Sequence, residues 1–97
     1  MSADILKQKE DVIVQPVAGE VVLFDLTSGN YYSLNELGAR IWELLDGNRS
    51  LTDIADQLTS EYDAPAAEIA RDLRALVEDM LRNGLLEQSE NEASVAG

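Results

Sequence analysis

The hydrophobic pattern of this chain changes period once, near residue 35. Before that point apolar residues come in short β-branched and aromatic runs; after it they recur at spacings of three and four. Asp11 to Val17 (DVIVQPV) is β-branched and carries Pro16 near its end, which suits a short edge strand. Ala18-Gly19 makes a turn, and Glu20 to Leu26 is a second strand. Its faces, Val21, Leu23, Asp25 and Val22, Phe24, Leu26, are both largely apolar. A sheet with one wet face would alternate more cleanly, so this small sheet is expected to be partly covered on both sides. Thr27-Ser28-Gly29-Asn30 carries the turn signals, and Tyr31 to Leu34 runs back as a third strand. With Ser28-Gly29 at the hairpin tip, Leu26 faces Tyr31, Phe24 faces Ser33 and Leu23 faces Leu34.

The third strand becomes a helix at Asn35 with no spacer. Asn35 is a good N-cap, because its side-chain oxygen can accept from an orphan N–H of the first turn, and Glu36 suits the helix dipole. The first helix covers about Glu36 to Leu45, with Leu37, Ile41, Leu44 and Leu45 as its apolar stripe and Trp42 adding a large buried area. Asp46-Gly47-Asn48 stops it, with Gly47 suited to a left-handed C-cap. Ser50 caps a second, short helix, and Asp53 completes a weaker form of the capping box. Pro65 opens a third helix that runs to the stop at Asn83-Gly84. Its stripe of Ala66, Ile69, Ala70, Leu73, Leu76, Val77, Met80 and Leu81 is wide enough to touch two neighbours. Leu85-Leu86 then pack back. Residues 1–10, mixed polar and without a period, are expected to form a flexible leader. Residues 11–87 are expected to be one domain, and 88–97 a disordered polar tail. Three strands followed by three helices give an α+β class, a three-stranded antiparallel sheet beside a winged-helix-turn-helix-like unit.

Composition narrows the chemistry. Ninety-seven residues with 45% apolar content support one core. There is no cysteine and no histidine, which removes disulfides, thiol chemistry, Cys/His zinc sites, imidazole bases and Ser-His triads. No apolar run reaches the length of a membrane span and the N-terminus has no signal-peptide core, so a cytoplasmic protein with no membrane partner is expected. Seven basic against nineteen acidic residues give a net charge of −12, which repels a polyanion and argues against a nucleic-acid partner. The third helix, net −1 over residues 65–84, is less repulsive to an acidic partner than residues 35–63, net −5.

The remaining candidates for catalysis do not converge. Asp25 lies in a mostly apolar strand, as an acid of raised pKa would; the simpler reading is that it faces solvent near the turn or caps a turn N–H. Asp53 and Asp56 stand three apart without a third metal ligand, and Thr27 to Asn30 holds too little glycine for a phosphate loop. No enzyme, metal or cofactor reading survives. An acyl carrier is excluded by the missing Asp-Ser-Leu context and by the three strands. Arg71, Arg74 and Arg82 fall along one side of the third helix, but Glu78 interrupts that side and Asp72 and Asp79 flank it, so DNA binding ranks third. What remains is an edge strand beside a groove, to which an extended peptide can add itself. Tyr31 and Tyr32, one on each face, would either frame that edge or simply complete the sheet's two faces.

The run GEVVLFDLTSGNYYSLNELGARIWELLDG, followed by SLTDIADQLTSEYDAP and a long helix ending NGLLE, resembles the PqqD family over about Glu20 to Glu87. SGNYYSLNELGARIWELLDG is its most specific part. The resemblance implies three strands and three helices, winged-helix-like, and a non-catalytic RiPP recognition element. Such modules bind the leader segment of a ribosomally made precursor peptide and present it to a modifying enzyme, such as a radical SAM enzyme or a leader peptidase. In that family the leader adds to the third strand and lies against the third helix. Carried onto this chain, the peptide-binding residues are Asn30, Tyr31, Tyr32, Ser33 and Leu34 on the strand, with Ile69, Asp72, Leu73, Ala75 and Leu76 on the helix. Founding members open with a Pro- and Arg-containing segment before the first strand; here the region reads KQKEDVIVQPV, and the central run looks more like the stand-alone proteins of lasso-peptide clusters. The alternative is a small acidic interaction domain that uses residues 35–63 and has no peptide groove. A free edge strand is also a route to self-pairing, so a monomer or weak dimer is expected.

Overall fold

The computed structural model describes residues 5–88. The hairpin region expected from the sequence forms the sheet β2 (Val12–Val17), β3 (Glu20–Asp25) and β4 (Tyr31–Leu34), all antiparallel in the order β2-β3-β4. β3 is central, and β2 and β4 are edges. A second antiparallel sheet, not expected from the sequence, has β1 (Ile5–Gln8) between β5 (Asp46–Ser50) and β6 (Leu86–Gln88). Helices α1 (Glu36–Leu44), α2 (Leu51–Glu61) and α3 (Ala66–Arg82) complete an α+β fold of two small sheets and three helices.

The second sheet corrects three expectations. The flexible leader contains a strand from Ile5, with Leu6 in the core and the Gln8 side-chain amide donating to the Trp42 carbonyl at 2.7 Å. Residues 1–4 lie outside the described region. Gln88, expected at the start of the tail, pairs with Leu6, next to the Lys7–Glu87 pair; residues 89–97 are likewise outside it. Gly47 does have positive φ, at 86°, yet it lies within β5. The helix is instead closed by Leu45, whose N–H reaches the Ile41 and Trp42 carbonyls at 3.1 and 3.2 Å.

The hairpin register is shifted by two residues from the expected one. Val21 faces Leu34, Leu23 faces Tyr32 and Phe24 faces Tyr31. The cause is Asp25. Its buried carboxylate accepts from the Thr27 N–H at 2.9 Å and the Ser28 hydroxyl at 3.1 Å, and Lys9 Nζ stands 3.6 Å away. The loop therefore widens to Leu26–Asn30, closed by the Gly29 N–H to Asp25 carbonyl bond at 2.8 Å. The Thr27 bond, with help from Ser28 and Lys9, holds the Asp25 carboxyl below its ordinary range against the opposing effect of burial. Its stabilising contribution is thus complete above pH 3.8 and is lost as pH falls through the lower folded-state value. Acid unfolding followed by circular dichroism should be shallower below pH 3.8 in Asp25→Asn than in the unsubstituted protein.

The register also settles which sheet face is covered. Leu23, Leu34 and Asp25 are buried against the helices, with Val12, Val21 and Tyr32 packed beside them. Ile13, Phe24 and Tyr31 point the other way and are exposed. Among the described residues the sheet is covered on one side, not two.

The helices follow the sequence more closely. Ser50 and Asp53 form a full capping box, with bonds of 3.1 and 3.4 Å, at the start of α2. Arg40 of α1 grips Glu61 of α2 through two bonds of 2.8 and 2.6 Å, and with Gln57 it holds the Glu61 carboxyl down at about 2. The core joins Ile41, Trp42, Leu44 and Leu45 to Ile54, Leu58, Leu73, Val77 and Met80, with Leu6 and Leu86 from the second sheet and Leu85 just before β6. Trp42 Nε1 is buried in this core.

Candidate functional site

The site begins with the open edge of β4. Antiparallel pairs alternate between those that exchange backbone hydrogen bonds and those that do not. The Asp25 N–H donates to the Asn30 carbonyl at 2.9 Å, which marks the 25/30 pair as bonded. The alternation then makes Leu23/Tyr32 and Val21/Leu34 bonded pairs. The backbone N–H and C=O groups of Tyr31 and Ser33 consequently turn away from β3, toward the side where no described strand lies.

That edge runs straight into α1. The Asn35 side chain accepts from the Gly38 N–H at 2.8 Å, so the first helical turn starts beside the end of the strand. Gly38 is buried there, and a Cβ added to it would stand 3.2 Å from Leu34 Cδ2, tighter than ordinary contact. The missing side chain lets the helix pass close to the strand. α3 closes the third side. A groove of about 240 Å³ results, lined by Tyr32, Ser33, Leu34 and Asn35 from the strand end, Leu37, Gly38 and Ile41 from α1, and Asp72 and Leu76 from α3.

The Tyr32 hydroxyl donates to the Asp79 carboxylate, tying β4 to α3 one turn beyond Leu76. Burial, and then the Asp79 partner, push the Tyr32 phenol up to about 12. Because the folded value is raised, this tie contributes fully below pH 10.0 and is lost as pH rises through about 12. Tyr32→Phe should lower stability by about 1.5–3 kcal/mol at neutral pH, the range for a hydrogen bond to a charged group. Denaturant melts repeated across the alkaline range should show the difference between the two proteins vanish at high pH.

The ten residues expected at the site divide into two sets. Asn30, Tyr31 and Ser33 are exposed along the edge, while Tyr32 and Leu34 turn their side chains inward and line the groove. On α3, Asp72 and Leu76 face the groove and Ala75 is exposed between them, but Ile69 and Leu73 are buried in the core at 4% and 0% exposure. Leu37, Gly38, Ile41 and Asp79 were not expected. The direct junction at Asn35 is the signal for the first three, since a helix capped at the strand's last residue must run beside its edge. Asp79 has no such signal. Arg71 and Arg82 stand exposed beside Asp72 and Asp79, at 4.0 and 3.4 Å. A second hollow of about 370 Å³ lies across α1 between Val14, Val21, Trp42 and Tyr62, and shares no lining residue with the groove.

Known proteins resemble the chain at both levels. The family model described as coenzyme PQQ synthesis protein D (PqqD) matches residues 20–86. A PqqA binding protein of Rhizobium meliloti is 35% identical over 72 residues, which are 74% of this chain and 71% of that one. A PqqA binding protein of Methylococcus capsulatus is 44% identical over 55 residues, 57% of each chain. Among solved structures, TbiB1 in complex with the TbiA(beta) leader peptide superposes with a TM-score of 0.74 at 33% identity, covering 84% of this chain and 94% of that one. Lasso peptide synthetase B1 complexed with the leader peptide gives 0.75 at 32% identity, covering 86% and 98%.

Proposed function

Because this chain belongs to the PqqD family, we propose that it binds the leader segment of a ribosomally made precursor peptide and presents it to a modifying enzyme. Binding proceeds by strand addition. The leader pairs with the outward N–H and C=O groups of Tyr31 and Ser33, and its alternate side chains enter the groove between β4, α1 and α3. Backbone pairing supplies affinity and the groove supplies selectivity. The observation that carries this reading is the junction of the open β4 edge with that groove, in one continuous concave surface. The similarity to PqqA binding proteins and to two leader-peptide complexes supports it.

The protein performs no covalent step in this account. Its shifted groups serve structure: Asp25 shapes a turn, Glu61 ties two helices, and Tyr32 sets the spacing of β4 and α3. Chemistry on the peptide falls to a partner such as a radical SAM enzyme or a leader peptidase. The groove lining contains one carboxylate, Asp72, and no cation. A leader with an apolar residue against Leu37 and Leu76, and a basic residue near Asp72, fits it best.

The test is a titration of the leader encoded beside this chain into isotope-labelled protein. Shifts should concentrate on residues 30–38 and on Asp72, Leu76 and Asp79. Saturable shifts confined to α2 and the second sheet would discard this site.

A further inference from the structure

The sheet face turned away from the helices is a second surface, distinct from the groove. Ile13, Phe24 and Tyr31 form one row across β2, β3 and β4, and Val17 lies on the same face beyond it. Their exposures are 46%, 37%, 75% and 50% in that order. Apolar side chains scattered singly are ordinary on a small protein, but a contiguous patch over adjacent strands marks an interaction surface. The row ends at the open β4 edge. A strand added there extends this face, with half of its own side chains beside Tyr31 and Ser33.

The charge around the patch selects the occupant. Glu20 pairs with Val17 at one end of the patch, Asp11 precedes β2 at the other, and none of the residues of β2, β3 and β4 is basic. A second copy would bring the same anions against it, and nucleic acid or anionic lipid would be repelled as well. We infer that this face docks a protein surface that is apolar at its centre and rich in lysine and arginine at its rim, carried by the enzyme that acts on the bound precursor. This rests on the leader-binding reading and adds to it the place where the enzyme sits. The enzyme would then touch the adaptor and the bound leader together, favouring the loaded adaptor over the empty one.

The experiment uses the full chain, the leader peptide and the purified peptide-modifying enzyme encoded in the same cluster, with binding to each followed separately. The double variant Ile13→Thr/Val17→Thr keeps β-branched residues in the strand while removing apolar surface. It should bind the enzyme at least 10-fold more weakly while its leader affinity stays within about twofold, which also shows that it is folded. Glu20→Lys, at the end of the patch, should slow enzyme association and flatten its dependence on salt. Enzyme affinity unchanged in both variants would overturn the inference. So would a concentration-dependent dimer, or binding to phosphatidylcholine vesicles, that the threonine pair abolishes, since the occupant would then be a second copy or a lipid surface. A chain that binds no leader but loses the enzyme in the threonine pair would instead keep the docking face and sink the leader-binding reading.

Discussion

Ser33→Pro should weaken leader binding by 10-fold or more and leave the fold intact. The two halves of that result come from one geometric fact. The Ser33 N–H points away from β3, so proline removes no bond of the existing sheet. It does remove a donor on the binding edge, and its ring occupies the side from which a strand must approach. One lost backbone hydrogen bond accounts for about 0.5–1.5 kcal/mol, and the blocked approach adds to it. Isothermal titration with the leader and a thermal melt together make the check. Proline one residue earlier, at Tyr32, would break the bond to Leu23 and should unfold the sheet. Unaltered affinity in a folded Ser33→Pro protein would remove strand addition from the account.

The second large effect separates core from groove on α3. Leu73 is fully buried, so Leu73→Ala should cost about 2–5 kcal/mol through lost burial and the cavity left behind. For a chain of this size that is a fall in melting temperature of at least about 8 °C. Protein that remains folded should still bind leader within about threefold. Leu76 is partly buried and lines the groove. Leu76→Ala should therefore shift the melt less, while weakening leader binding roughly 10-fold through lost apolar contact. Melts and titrations on both variants test the assignment. A reversed pattern, with Leu73 governing affinity and Leu76 governing stability, would mean that α3 presents a different face to the strand.

Several features of the fold were legible in the residues themselves. Asn35 and Ser50 mark helix starts with side chains that do cap, and the run at Tyr31–Leu34 gives the strand that carries the edge. Local chemistry fixes these, and local chemistry is what a sequence displays. The second sheet was hidden for the opposite reason. β5 is built from Asp46, Gly47, Asn48, Arg49 and Ser50, residues with little strand preference, and it is extended because β1 pairs with it across forty residues of chain. The hairpin register misled because Asp25, the residue before the turn, uses its carboxylate to enlarge the loop. On α3 the stripe was visible but its division was not. Ile69 and Leu73 serve the core while Asp72 and Leu76 serve the groove, and only the position of β4 separates them. The Tyr32–Asp79 tie spans 47 residues and left no trace in the pattern.

Amide hydrogen exchange along β4, with and without the leader peptide, tests strand addition most directly. Tyr32 and Leu34 amides are already bonded to β3 and should exchange slowly in both states. Tyr31 and Ser33 amides should exchange quickly in the free protein and become strongly protected when the leader is bound. Saturating leader that leaves Tyr31 and Ser33 exchanging at their free rates would contradict the account, whatever its affinity.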